Sequence, residues 1–133
     1  MSGSIRFARR VFLRTKPDKV DELLSTMREK VYPQLRRERG MRRAYLLRDT
    51  VNRNEFISLT LWESRGNADA YESAGHFAAN SDMVRGFLVE DPAVSKFEVE
   101  THAVSRALPP PAASPSRGKG TNRAKRRTKR RKR

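Results

Sequence analysis

The sequence predicts an α+β domain in which four antiparallel strands carry two helices on one face, the split βαβ arrangement. Three observations lead to it. Side chains alternate with a period of two in four short segments, and apolar residues recur at spacings of three and four after the first and after the third. Only "TVNRN" separates the second segment from the third, the length of a hairpin turn. At 133 residues the chain is large enough for one hydrophobic core and not for two.

In the first strand Ile5, Phe7, Val11 and Leu13 alternate with Arg6, Ala8, Arg10, Phe12 and Arg14, and Arg9 interrupts the apolar face. Pro17 suits the first turn of a helix, with Thr15 or Lys16 at its cap and Asp18, Asp21 and Glu22 near its positive end. Val20, Leu23, Leu24, Met27, Val31 and Leu35 give that helix one buried stripe, and Gly40 stops it. "RRAYLLRD" is the second strand and "EFISLTLW" the third, with Asn52 and Asn54 in the turn between them.

Along the third strand Ile57, Leu59 and Leu61 point to one face and Phe56, Ser58, Thr60 and Trp62 to the other. Neither set carries the charges of a wetted surface. Small hydroxyls between two aromatics suit a cavity or the sheet of a partner. Ser64 caps the next helix, which carries Ala68, Ala70 and Tyr71, and "SAG" bends the chain into a further helical piece from about 76 to 88. There Phe77, Ser81, Val84 and Leu88 form one stripe, with His76, Asn80, Met83 and Phe87 beside it. After Pro92, "KFEVETHAV" is expected as the fourth strand, with Phe97, Val99, Thr101 and Ala103 facing one way and Lys96, Glu98, Glu100 and His102 the other. The sheet face without helices is expected to carry Phe12, Tyr45, Leu47, Phe56 and Trp62, too apolar to stay wet. A second copy is its simplest cover, so the expectation is a homodimer whose facing sheets close a barrel.

Charge sets the C-terminus apart. Residues 117–133 hold 11 of the 30 Lys and Arg and no acid, so 19 cations meet 15 acids in residues 1–116, a net +4. Three segments follow: a domain over 1–105, a Pro/Ala/Ser linker over 106–116, and a Lys/Arg-rich tail over 117–133 expected to be disordered. Arg123, Lys125, Arg126, Arg127, Lys129, Arg130, Arg131, Lys132 and Arg133 are candidates for phosphate contacts with nucleic acid, though charge alone does not choose among polyanions. "RRERGMRR", residues 36–43, adds a small basic patch to the body. With no cysteine there is no disulfide framework, thiolate metal site or cysteine nucleophile. The charged N-terminus does not read as a signal peptide and no apolar run approaches a membrane span, so a soluble, cytoplasmic protein is expected. Two histidines 26 positions apart offer no metal-ligand spacing.

The order of elements, the "LTLWES" strand end and the following "ADAYESAGHF" resemble the antibiotic biosynthesis monooxygenase (ABM) domain. The resemblance implies a dimeric α/β barrel of ferredoxin-like βαββαβ protomers. Cofactor-independent, quinone-forming members place an Asn four residues before the strand-end Trp and a Tyr six residues after it. Trp62 is present here, while Ser58 and Ala68 occupy those two positions and Tyr71 lies one helical turn beyond. Haem-degrading members place an axial His where Ser81 stands and an Asn about where Arg10 stands, so the resemblance disfavours haem and implies no cofactor. The implied chemistry is oxygenation of an aromatic or polyketide-like substrate, with Trp62, Tyr71, Ser58, His76 and Asn80 as candidate catalytic residues and Arg10, Phe12, Tyr45, Phe56 and Met83 as candidate pocket residues. Arg10 is taken to face inward, as an anion stabiliser. The alternative is a non-catalytic dimeric barrel whose basic tails bind nucleic acid.

Overall fold

Strand β1 (Phe7–Arg14) lies inside a four-stranded sheet, between β3 (Glu55–Trp62) and β4 (Ala93–Glu98), and β2 (Met41–Arg48) completes the order β2-β3-β1-β4. Every neighbouring pair is antiparallel. This is the ferredoxin-like arrangement that the order of periodicities predicts. The computed structural model describes residues 4–105. The chain divides into two units, Met1–His102 and Ala103–Arg133. The linker and the basic segment expected over 106–133 lie outside the described residues.

The first helical segment begins with a 3₁₀ turn at Pro17–Lys19 and runs through α1 (Val20–Thr26), a π-helical turn (Met27–Val31) and α2 (Tyr32–Leu35). The Tyr32 N–H reaches back to the Met27 carbonyl. Pro33, next in line, has no N–H to give and its ring would crowd the carbonyl of Glu29, so a widened turn fits where an α-turn would clash. Leu23, Met27, Val31 and Leu35 are buried, as their spacing predicts. Helices α3 (Arg65–Ser73) and α4 (His76–Arg85) follow β3. Ser64 caps α3 by accepting the Asn67 N–H at 3.1 Å. Gly75, at φ +87°, makes the bend into α4.

Between β2 and β3 the turn is closed by Asp49, whose carboxylate accepts the N–H groups of Val51 (2.9 Å) and Asn52 (2.6 Å). Those two bonds, Asn52's first, hold its carboxyl below the usual range. At the other edge β4 starts and stops earlier than "KFEVETHAV" suggests. Among the described residues it pairs only with β1, from Phe12↔Ala93 to Phe7↔Glu98, and its pairing ends where β1 begins.

Register separates the two faces of the sheet. Phe7 lies opposite Trp62, Val11 opposite Ser58 and Leu13 opposite Phe56, all beneath the helices. The other face carries Phe12, Ile57, Leu59, Leu61, Tyr45, Leu47 and Phe97, and the last three of these are nearly half exposed. Two expectations are corrected here. Phe56 and Trp62 belong to the helix-covered core, not to the open face, because period-two alternation puts them on the same side as Ser58 and Thr60. Arg10 is exposed on the open face, beside Phe97 and 3.4 Å from the Ser95 hydroxyl, and the buried arginine of β1 is Arg9.

Candidate active site

The small hydroxyls of β3 mark a cavity between the sheet and the helices. Val11 and Leu13 of β1 and Ser58 and Thr60 of β3 floor it. Met27, Val31 and Leu35 of the first helical segment, Tyr71 of α3, and Phe77, Asn80, Ser81 and Val84 of α4 wall it, with Pro92 at its edge. The π-helical turn supplies two of those walls, and such turns recur at functional sites. The cavity leaves about 40 Å³ open to the centre of a water-sized sphere. That is room for a few waters; a fused-ring ligand enters only if the wall moves.

Tyr71 is the polar centre. Its ring is buried against Trp62 (centroids 5.2 Å apart) and meets Phe77 edge-on (6.2 Å), and its hydroxyl oxygen accepts a hydrogen bond from Asn80 Nδ2 at 3.0 Å. Burial pushes the phenol above its ordinary range, with the Asn80 bond and the Arg9 charge opposing in part. Tyr32 is raised by burial too. Its hydroxyl oxygen makes no hydrogen bond of good geometry, although the Ser58 hydroxyl is near enough to oppose the shift. The same Asn80 nitrogen donates to Gln34 Oε1 at 2.8 Å, Gln34 Nε2 donates to Glu38 Oε2, and His76 Nδ1 lies 2.5 Å from that carboxylate. The chain of contacts thus runs from the buried phenol to an exposed imidazole.

Arg9 lies behind the aromatic wall, 1% exposed, with its guanidinium 4.6 Å from the Phe77 centroid and 5.7 Å from that of Tyr71. One nitrogen donates to Glu72 Oε1 at 2.7 Å, and Lys96 Nζ reaches the same oxygen at 3.0 Å. These partners, Arg9 first, hold the Glu72 carboxyl below its usual range. A depressed folded-state pKa contributes stability above the ordinary glutamate range and loses it as pH falls through the folded value. Glu72→Gln should therefore lower stability at pH 7 by about 1–2 kcal/mol, less than a fully buried pair would lose because Glu72 is largely solvated. The gap from the parent protein should close below about pH 4. Thermal denaturation across pH 3–8 checks this; a gap that persists undiminished at pH 3 would mean that charge is not its source.

Of the candidate catalytic residues, Ser58, Tyr71 and Asn80 meet at the cavity. Trp62 does not line it: the ring is 0% exposed behind Tyr71, and its N–H donates to Thr60 Oγ1 at 2.9 Å. His76 stands outside, exposed and held by Glu38. Among the candidate pocket residues, Arg10, Phe12 and Tyr45 lie on the open sheet face, Phe56 is core beneath the helices, and Met83 is on the exposed side of α4, so none of the five lines the cavity. Sequence reasoning passed over Arg9, Glu72, Gln34, Glu38 and Tyr32. Arg9 did leave a signal, since a charge in the apolar register of a central strand needs a charged or hydrogen-bonding partner. As for metals, no group of three His, Cys, Asp or Glu among the described residues could hold an ion. Ser81 stands in the cavity wall.

The profile of the antibiotic biosynthesis monooxygenase family matches residues 6–81, which include β1, the corner after Trp62 and the cavity residues up to Ser81. The chain belongs to that family. A comparison with curated proteins finds no match. Solved structures similar to it include a monooxygenase from the ActVA-Orf6 gene of Streptomyces coelicolor, in complex with the ligand nanaomycin D (14% identity, TM-score 0.63, 76% of this chain and 93% of that one). Others are Rv0793 from Mycobacterium tuberculosis (20%, 0.62, 74% and 99%) and a conserved protein from Methanosarcina mazei Go1 (17%, 0.62, 72% and 94%). At these identities the likeness is one of fold. ABM family members are typically dimeric. Among the described residues no helix is long and apolar enough to cross a membrane.

Proposed function

We propose that this protein is a cofactor-independent monooxygenase that oxidises a hydroxylated, electron-rich aromatic molecule of polyketide type in the cavity between its sheet and helices. The observation that carries the reading is the buried Tyr71 hydroxyl, bonded to Asn80, at a cavity whose other walls are apolar save for Ser58, Thr60 and Ser81. For a hydroxyanthrone the balance is simple. The ring methylene gives up two hydrogens, one atom of dioxygen becomes the new quinone carbonyl, and the other leaves as water. The substrate is its own reductant. Ionisation of the substrate lets it pass an electron to dioxygen, and the protein's part is a dry site with hydrogen-bond donors for the oxyanion. Tyr71, kept protonated by burial, is such a donor, and the serine hydroxyls beside it add others.

Family membership and the nanaomycin-bound relative support this substrate class. Oxygen uptake with a panel of hydroxyanthrones and hydroquinones is the test. Tyr71→Phe should lower kcat/KM on the order of 100-fold, the worth of one well-placed oxyanion donor. Uptake no greater than that of Tyr71→Phe across the panel would sink the enzyme reading. It would favour the second one, a non-catalytic barrel, which rests on the narrow cavity and on Ser58 and Ala68 standing where quinone-forming relatives carry Asn and Tyr.

The reading extends to assembly. A second copy covers the open face that displays Tyr45, Leu47 and Phe97, as the habit of the family supports. The cationic residues of 117–133 attach the dimer to a polyanion, nucleic acid first, from a cytoplasmic location.

A further inference from the structure

We infer that Glu38, outside the cavity, fixes the direction in which the Tyr71 hydroxyl points its proton, and that the site thereby selects ligands presenting an oxyanion or carbonyl oxygen over ligands presenting a donor. The argument is one of hydrogen-bond polarity. As a carboxylate Glu38 can only accept. The Gln34 atom facing it must therefore be the amide nitrogen, which turns Gln34 Oε1 toward Asn80. Facing an acceptor, Asn80 must present Nδ2, and that nitrogen spends its two hydrogens on Gln34 Oε1 and on the Tyr71 oxygen. Tyr71 thus accepts from Asn80 and keeps its own proton for something else. His76 reinforces the sense of the chain by offering Nδ1 to the same Glu38 oxygen from outside.

Without Glu38 nothing would fix the direction. Two amides in series can each turn by half a revolution, and the phenol would then donate to Asn80 Oδ1 as readily as accept from Nδ2. An acceptor-only group at one end removes that freedom at the other. Of the charged groups near Tyr71, Arg9 lies over its ring and favours an anionic guest, Glu72 is paired with Arg9 and Lys96, and the Glu38 carboxylate opposes an anion by its charge, so its service to such a guest is through hydrogen-bond polarity alone. Gln34 and Glu38 are positioning residues here, acting on a ligand they do not touch.

The inference rests on reading the cavity as the ligand site, but its test needs no turnover. 4-Nitrophenol is a single-ring probe whose ionised form absorbs visible light, and 4-nitroanisole is its neutral counterpart. With the full-length protein, binding should favour nitrophenolate, so that the bound ligand ionises at lower pH than the free one. Glu38→Gln, which lets position 38 donate as well as accept, should weaken nitrophenolate by about tenfold or more while leaving nitroanisole unchanged. Asn80→Asp should erase the preference, since an acceptor there claims the phenol's proton, and Tyr71→Phe should erase it by removing the donor. Each variant keeps the basic C-terminal residues, so attraction to them cancels in the comparison. Failure of the parent protein to prefer nitrophenolate, or a preference undiminished in Tyr71→Phe or in folded Glu38→Gln, would overturn the inference. A protein that consumes no oxygen yet shows this pattern retains it, so the two ideas fail separately.

Discussion

Gly40→Ala is expected to destabilise the domain by about 2–5 kcal/mol, lowering the midpoint of thermal unfolding on the order of 10–20 °C. Two effects add. Gly40 has φ +82°, in the left-handed region where a side chain costs about 1–2 kcal/mol. A Cβ there would also lie 2.3 Å from Asn67 Cγ and 2.6 Å from Asn67 Cβ, far inside contact distance and too near the root of that side chain to be relieved by a rotamer change alone. Asn67 cannot yield freely, because its N–H is capped by Ser64 and its Oδ1 accepts the Ser64 hydroxyl. The Gly40 carbonyl in turn accepts the Glu63 N–H at 2.7 Å. This contact docks the chain entering β2 onto the corner after Trp62. Gly75→Ala is the internal control: its φ is +87° but nothing lies within 4 Å of the added carbon, so only the backbone cost should appear. Equal losses at the two glycines would remove the clash from the account.

The contrast between those glycines shows what a sequence exposes and what it hides. Both stand where a helix must stop or bend, and both are legible as such. That one of them abuts Asn67, a residue 27 positions later, is a fact of tertiary packing. The strands were legible for the same local reason: alternation in β1 and β3 is a property of neighbours, and Ser58 and Thr60 do line a cavity as two hydroxyls in a buried register suggest. Which face of β3 met the helices was not legible, since Ile57, Leu59 and Leu61 are as apolar as the set beside them. Trp62 and Phe56 were consequently placed on the open face instead of the covered one. The Tyr71–Asn80–Gln34–Glu38 chain joins residues 46 positions apart through amides that look unremarkable in sequence. The partner of His76 is hidden for the same reason, since Glu38 lies across the fold.

On the proposed reading, removing residues 117–133 should abolish most polyanion binding and leave the proposed dimer and cavity chemistry as they were. The charge ledger carries the first half. Eleven cations and no acid leave with the segment, while the remainder keeps only +4. If the intact protein neutralises about six phosphates, log K should fall with log salt at a slope of about −0.9 for each, roughly a two-thousandfold loss between 50 and 200 mM. The truncated form should bind far more weakly with little dependence on salt. The second half follows from chemistry. The segment has no side chain more apolar than that of Ala124, so it has nothing with which to hold two sheets together, whereas Tyr45, Leu47 and Phe97 on the body do. Two copies of the segment on one dimer would also engage a long duplex bivalently, so affinity should drop further on a duplex too short to reach both. Fluorescence anisotropy on random-sequence duplexes over a salt series, with light scattering on both forms, measures all of this. Equal affinity before and after truncation would move the polyanion surface onto the body, with the basic residues between Arg36 and Arg43 the first place to look. A truncated protein that scatters light as a monomer would deny the open face its role in assembly.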